Sequence, residues 1–286
     1  MVVPNATPLI ALDAVVIDTE TTGLDPAEAR IVEIAAARIE GGRIPVDCML
    51  DRILRPGIPI PKTSTQIHHI DNAKVADAPT FAEIWPELKK LIGGSIVIGH
   101  AVGFDLAVLH RECRRAGETF ENPRILDTRL LAEIVEPALA DYTIESLAAW
   151  LGVNLSGRHS AAGDALATAR IFCALVPMLR DGGIRTLAEA TRACSSLTKA
   201  LDEQHRAGWV DVSASYHAER SLGRIDSYPY RHRVRDVMSA PAKLISTDTP
   251  LGQAMKTMMN DRVSSLFVYP ARSSGSDVQG GDVGMT

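Results

Sequence analysis

The chain has 286 residues, 46% hydrophobic and 23% charged, with 21 Gly and 16 Pro, values that exclude a disordered, collagen-like or low-complexity protein. Aromatics make up only 5%, which argues against an aromatic-rich stacking surface, and the net charge of −5 excludes a global basic field that would attract nucleic acid. Residues 1–185 carry 24 acidic and 18 basic side chains, against 11 and 12 in 186–286, so the first part suits an enzyme that gathers carboxylates around cations better than a binder working by phosphate neutralisation alone.

The N-terminal MVVPNATPLIALD has no basic n-region, and Asp13 breaks its apolar run, so it does not read as a secretory signal. No uninterrupted apolar run approaches the roughly 18 residues that a membrane helix requires, and no membrane partner is expected. Cys48, Cys113, Cys173 and Cys194 make no CxxC pair and no zinc spacing, which predicts reduced, mostly buried thiols and a cytoplasmic location.

Length alone suggests about two domains. The first 180 residues alternate strand and helix signals. AVVIDTE (14–20), RIVEIAAARI (30–39) and VDCMLDRIL (46–54) read as strands, the last two parted by the turn-forming Gly41-Gly42. RPGIPIPKT (55–63) reads as a loop, and TFAEIWPELKKL (80–91) as a helix capped by Thr80. SIVIGH (95–100) is a short buried strand, and FDLAVLHRECRRAG (104–117) a helix ending at Gly117. RILDT (124–128) is a further strand, TIESLAAWLG (143–152) a short helix, and 160–180 a longer Ala-rich one. This order predicts an α/β fold with a mixed central sheet flanked by helices. Residues 185–208 read as one helix capped by Gly208, and 209–233 as a basic, turn-rich connector. The expected division is therefore a domain over 1–182, a helical and basic linker over 183–233, and a small unit over 234–286.

Asp18 and Glu20 are two apart on a strand, so both carboxylates share one face of the sheet, at the strand's C-terminal end beside a Gly turn. That edge is where α/β sheets bind ligands. Asp105 follows the strand IVIGH in the first turn of a helix, where the helix dipole alone would favour it. Asp164 lies five residues after His159, about 500° of helix, so His159 must sit in the loop before that helix. Four converging carboxylates would raise one another's pKa values unless cations joined them. Carboxylate oxygens suit two divalent cations, Mg²⁺ or Mn²⁺, and a neutral His beside them could take a proton from water near pH 7.

In order and spacing, VIDTETTGL (16–24), GHAVGFD (99–105) and HSAAGD (159–164) resemble the three motifs of the DEDDh 3′-to-5′ exonuclease family. This is the superfamily that includes the proofreading subunit of the bacterial replicative polymerase. The resemblance covers residues 10–182 and implies an RNase H-like domain that hydrolyses the 3′-terminal phosphodiester of single-stranded DNA or RNA. It further implies that Asp18, Glu20, Asp105 and Asp164 hold the two metals, with His159 as general base and Glu20 also in the catalytic set. Thr21 would meet the terminal nucleotide through its backbone amide, and Ile67 and His68 would wedge against its base. Phe104 would pack beneath the site, with Asp127 as a supporting acid. Ala101 stands where the family often has Asn, and His69 where it often has Gly, which bears on substrate choice. A regulatory nucleotide-sensing or nucleic-acid-binding protein using this domain as a platform is the rival reading.

The segment from Val234 resembles the opening of a CBS-type module: LIS is a strand, Thr249-Pro250 starts a helix with Met255, Met258 and Met259 at helical spacing, and SSLFVYP is the next strand. Such modules pair to bind adenine nucleotides, so regulation through one is expected only where the module is complete. DVGMT (282–286) reads as the start of another strand with no covering helix after it. The chain is accordingly expected to be truncated there, to leave apolar surface exposed and to self-associate through it.

Overall fold

A computed structural model describes residues 3–45, 49–210, 244–261 and 266–269. The chain divides into two compact units, Met1–Ile225 and Asp226–Thr286.

The first unit is built on a five-stranded sheet. Its strands are β1 (Ala14–Thr21), β2 (Ile31–Ile39), β3 (Met49–Ile53), β4 (Ile96–Gly99) and β5 (Arg124–Asp127), in the order β3-β2-β1-β4-β5. β1 pairs antiparallel with β2, which pairs antiparallel with β3; β1 and β4, and β4 and β5, pair in parallel. The C-terminal ends of β1, β4 and β5 therefore open on one edge of the sheet. Continuous apolar runs build the three central strands: Val16, Ile34, Ala35, Val97 and Ile98 are wholly buried.

The helices are α1 (Lys62–His68), α2 (Phe81–Ile92), α3 (Gly103–Arg115), α4 (Thr128–Val135), α5 (Ile144–Leu151), α6 (Ala161–Asp181), α7 (Leu187–Ser195) and α8 (Thr198–Arg206). α2 opens with the Thr80/Glu83 capping box and buries Phe81, Ile84, Trp85, Leu88 and Ile92 on one stripe. α6 is apolar on most sides because it packs against β1, β2, α4 and α5 at once, burying Ile171, Phe172 and Leu175. By length and composition alone it could cross a membrane, with a mean hydropathy of 1.4 over 18 residues; here it is a core helix.

Three parts of the sequence reading need correction. α4 was not anticipated: Leu130, Leu131 and Ala132 are buried around more than half of its circumference, and the Asp127 carboxylate caps its start by accepting from Arg129 N. α1 arises directly after Pro61, inside the stretch read as loop and its continuation. The single helix expected over 185–208 is two, broken where Leu197 takes φ −80°, ψ 62°. These helices also move the expected domain boundary at 182. α7 packs on α4 and β5, and Leu187, Ala190, Cys194 and Ala200 are buried, so 187–206 belongs to the first unit rather than to a linker. The N-terminal segment fixes this junction, with Leu9 N donating to Arg185 O and Leu187 N to Thr7 O.

In the second unit, β6 (Leu244–Ser246) and β7 (Phe267–Tyr269) pair in parallel, with α9 (Leu251–Asp261) between them in sequence. Met255 and Met259 on α9 are exposed. Of the connector expected over 209–233, residues 211–233 lie outside the described residues, as do the segment 234–243, the DVGMT strand and Cys48.

Candidate active site

Asp18, Glu20 and Asp164 come together at the C-terminal edge of the sheet, each with a carboxylate oxygen within 4.8 Å of the others. Asp18 and Glu20 project from the same face of β1, and Asp164 from the first turn of α6, which crosses that face. Asp105, in the first turn of α3, stands beside this trio. Its Oδ1 accepts from Thr19 Oγ1 at 2.6 Å.

The electrostatics are those of crowded, buried acids. Burial raises Asp18 well above the usual carboxylate range, and the charges of Asp105, Asp164 and Glu20 add to it. Glu20 is pushed up to about 8 by burial, then by Asp164, Glu33 and Asp105. Asp105 rises to about 7, again chiefly through burial, with the Thr19 hydroxyl pulling the other way. The nearest compensating charge is Arg158, whose guanidinium is ion-paired to Asp164 and whose Nε donates to Glu145 Oε1 on α5 at 2.9 Å. One arginine cannot balance four carboxylates, so hard divalent cations fit this all-oxygen donor set.

His159 is exposed in the turn before α6, outside the helix as its spacing requires, and takes φ 59°. Ser160 caps α6 by accepting from Gly163 N. Gly163 is obligatory: a Cβ there would lie 1.8 Å from Gly157 O, so the turn carrying Arg158 and His159 sits directly on the helix.

The proposed substrate contacts are less uniformly placed. Thr21 is buried at the end of β1, its hydroxyl donating to Gly23 O at 2.7 Å. α1 docks on that end through Ser64 Oγ, which donates to Thr22 O at 2.9 Å. Ile67 is 51% exposed, whereas its neighbour His68 is 6% exposed. His68 Nδ1 accepts from Ile70 N at 3.1 Å, and burial holds its pKa below the usual value. Ile67 and His68 are thus not two parts of one exposed wedge. Phe104 is half-buried beside Asp105.

Three residues of the site escaped the sequence reading. Glu33 pairs across from Glu20 in the β1–β2 register and accepts from Ala161 N at 2.7 Å, tying α6 to the sheet. Its signal was a lone acid inside an otherwise apolar strand. Arg158 had none. His100 is half-buried, bonds Thr128 Oγ1 at 3.1 Å, and is lowered to about 4 by desolvation and then by Arg129. Asp127, expected as a supporting acid, acts on the backbone: its Oδ1 accepts from Ala101 N at 3.0 Å and so fixes Ala101 at φ 55°.

A mixed sheet with carboxylates clustered at the C-terminal end of its central strand defines an α/β domain with an acidic, cation-type site. The exonuclease family RNase_T matches residues 15–172, and the chain belongs to this family. Residues of this chain are 42% identical over 183 positions to the DNA polymerase III subunit epsilon-like protein of Rhodobacter capsulatus, covering 63% of this chain and 26% of that protein. The DNA polymerase III subunit epsilon of Aquifex aeolicus is 34% identical over 166 residues, covering 58% of this chain and 81% of that one. The chain thus spans about a quarter of the Rhodobacter protein. The fold is that of exonuclease X, solved in complex with 5′-overhanging duplex DNA, at a TM-score of 0.50 and 24% identity over 63% of this chain and 99% of that one. The domain is therefore the RNase H-like exonuclease fold. The family match ends at 172 and does not extend to the second unit.

Proposed function

We propose that the first unit is a metal-dependent 3′-to-5′ exonuclease that releases nucleoside 5′-monophosphates from the 3′ end of a single strand. The observation that carries this reading is the Asp18/Glu20/Asp164 cluster with Asp105 alongside, an anionic site that Arg158 balances only in part, inside a fold shared with exonucleases. Asp18, Glu20, Asp105 and Asp164 would hold two divalent cations, Mg²⁺ or Mn²⁺. When bound, these supply charge neutralisation at the phosphate and lower the pKa of water.

The remaining chemistry belongs to this chain's own groups. A water oxygen attacks the terminal phosphorus, the bond to the leaving 3′-oxygen breaks, and that oxygen takes up a proton. His159, on its exposed turn, accepts the water's proton on a ring nitrogen. Arg158 and Glu145 hold that turn, while Glu33 and Gly163 hold the helix behind it. In this reading the Thr21 backbone and the exposed Ile67 would meet the terminal nucleotide. The polymerase-subunit and DNA-complex relatives favour DNA as the polymer.

For the second unit the proposal is the opening of a CBS-type module, resting on the sequence resemblance and on its parallel strand-helix-strand order, with self-association through the exposed Met255 and Met259.

The test is an end-labelled panel of single-stranded DNA, duplex DNA and RNA with Mg²⁺, Mn²⁺ or EDTA. Stepwise 3′ shortening that needs the cation and disappears in Asp18→Ala supports the proposal. Binding without shortening would favour the platform reading.

A further inference from the structure

A positive charge already stands on the carboxylate cluster, and it belongs to this chain. The Nη1 corner of Arg158 is ion-paired to Asp164 Oδ1, and both atoms are buried with no other partner among the described residues. The opposite edge of the same guanidinium, Nε and Nη2, donates to a single oxygen of Glu145, with Nε at 2.9 Å. The charge reaches further than Asp164, since it opposes the rise of both the Asp18 and the Glu20 carboxyl.

The turn that carries Arg158 does not depend on this ion pair. Ser160 Oγ accepts from Gly163 N at 3.2 Å and donates to Gly157 O at 2.7 Å, and Gly157 O lies directly against Gly163. Backbone packing therefore fixes where the arginine starts, and its reach to Asp164 concerns the charge of the site. A guanidinium and a divalent cation draw on the same carboxylate lone pairs, and two positive charges a few ångströms apart repel. Arginine stays charged across the working pH range and gives up water more readily than lysine, which suits a charge held in a buried place. It also has somewhere to go: the Glu145 side chain is 53% exposed, so a guanidinium bonded to it can leave Asp164 and keep its partner at the surface.

We propose that Arg158 is the resident counter-ion of the empty site and the competitor that a divalent cation must displace from Asp164, with Glu145 keeping hold of the guanidinium as it leaves. Arg158 thereby sets the cation concentration at which the site fills. This rests on the reading of the four acids as the cation site, and it adds a positioning residue that is not itself a ligand.

Titration calorimetry of Mg²⁺ and Mn²⁺ into the full chain reads the competition. Arg158→Gln should lower the dissociation constant of the cation about tenfold or more, because both the competitor and its repulsion are gone. The same variant should melt below wild type in EDTA at pH 8, since the acids have lost their only partial balance, and should recover at saturating Mn²⁺. An unchanged or raised dissociation constant, the result expected of an arginine that merely props the turn, overturns the proposal, and so does a Tm in EDTA equal to that of wild type. Crystals of the wild-type chain grown in EDTA and in Mn²⁺ test it without any variant. Nη1 should lie on Asp164 in the first and away from it in the second; a guanidinium still on Asp164 beside a bound cation overturns the proposal. If neither wild type nor Arg158→Gln takes up a cation, the metal reading itself fails and this inference with it, whereas uptake by Arg158→Gln alone supports both.

Discussion

The crowding of Glu20 can be weighed by changing pH in the absence of metal. Its folded-state pKa of about 8, against an ordinary 4.5, comes first from burial and then from Asp164, Glu33 and Asp105. Between those two values the folded protein holds a proton that the unfolded chain has lost, so stability falls as pH rises through this window. The slope per group is at most about 1.4 kcal/mol per pH unit, so Glu20 alone costs at most about 5 kcal/mol above pH 8. Asp105, raised to about 7, acts in the same direction at lower pH, and Asp18 does too. These costs are not additive, because neutralising one acid relieves the others. At about 2–4 °C per kcal/mol for a unit of this size, the Tm in EDTA should fall by on the order of 10 °C from pH 5 to pH 8. Mg²⁺ should restore most of it at pH 8 and little at pH 5. Glu20→Gln should melt higher than wild type at pH 8 in EDTA and equal to it at pH 5. Scanning calorimetry at both pH values, with and without metal, gives all of these numbers. A Tm in EDTA that is the same at pH 5 and pH 8, or a Glu20→Gln variant no more stable than wild type at pH 8, would show that the cluster is not electrostatically strained.

Other outcomes follow from single contacts. Asp164→Ala should abolish 3′ shortening in the oligonucleotide assay while circular dichroism stays native, since Arg158 keeps its bond to Glu145; residual cleavage above background would remove Asp164 from the metal set. His159→Ala should lower kcat by about 10²–10⁴ with KM little changed; weakened binding at full kcat would make His159 a substrate contact instead. Glu33→Ala strands the buried Ala161 N–H and should cost about 1–3 kcal/mol in urea unfolding; unchanged stability would mean that α6 is anchored elsewhere. Removing residues 226–286 should leave the specific activity of the first unit within about twofold, measured in the same oligonucleotide assay, and a larger loss would give the second unit a role in catalysis.

The parts of the site that were legible are those whose signals are local. Period two put Asp18 and Glu20 on one face, and the five-residue step put His159 off the helix that carries Asp164. The sheet was readable for the same reason: AVVI, IVEIAAA and IVIG are apolar runs bounded by turns. What escaped depends on partners distant in sequence. Arg158 matters through Glu145 and Asp164, on two other elements, and nothing in its own neighbourhood marks it. Glu33 sits in a strand whose period gives no reason for an acid, and its purpose is clear only once α6 lies across it. α4 was missed because its eight residues directly follow β5, with one aspartate ending the strand and capping the helix. The helices after 182 look like a connector because they are short and polar on one side; their buried residues count only against α4 and β5.

β1, which carries Asp18 and Glu20, is bonded to β2 on one side and β4 on the other. Edge strands can fray to relieve a local conflict, but the middle strand of a sheet cannot open without its neighbours. Protons on the amides of residues 15 and 16, where β1 is paired on both sides, should thus exchange with solvent only when the whole unit unfolds, among the slowest in the chain. The carboxylates stand just beyond this doubly paired stretch, which limits how far their mutual repulsion can be relieved by breathing. The repulsion persists in the native ensemble, ready to be discharged by cations, and every gain in cation affinity is returned as slower exchange across the entire sheet.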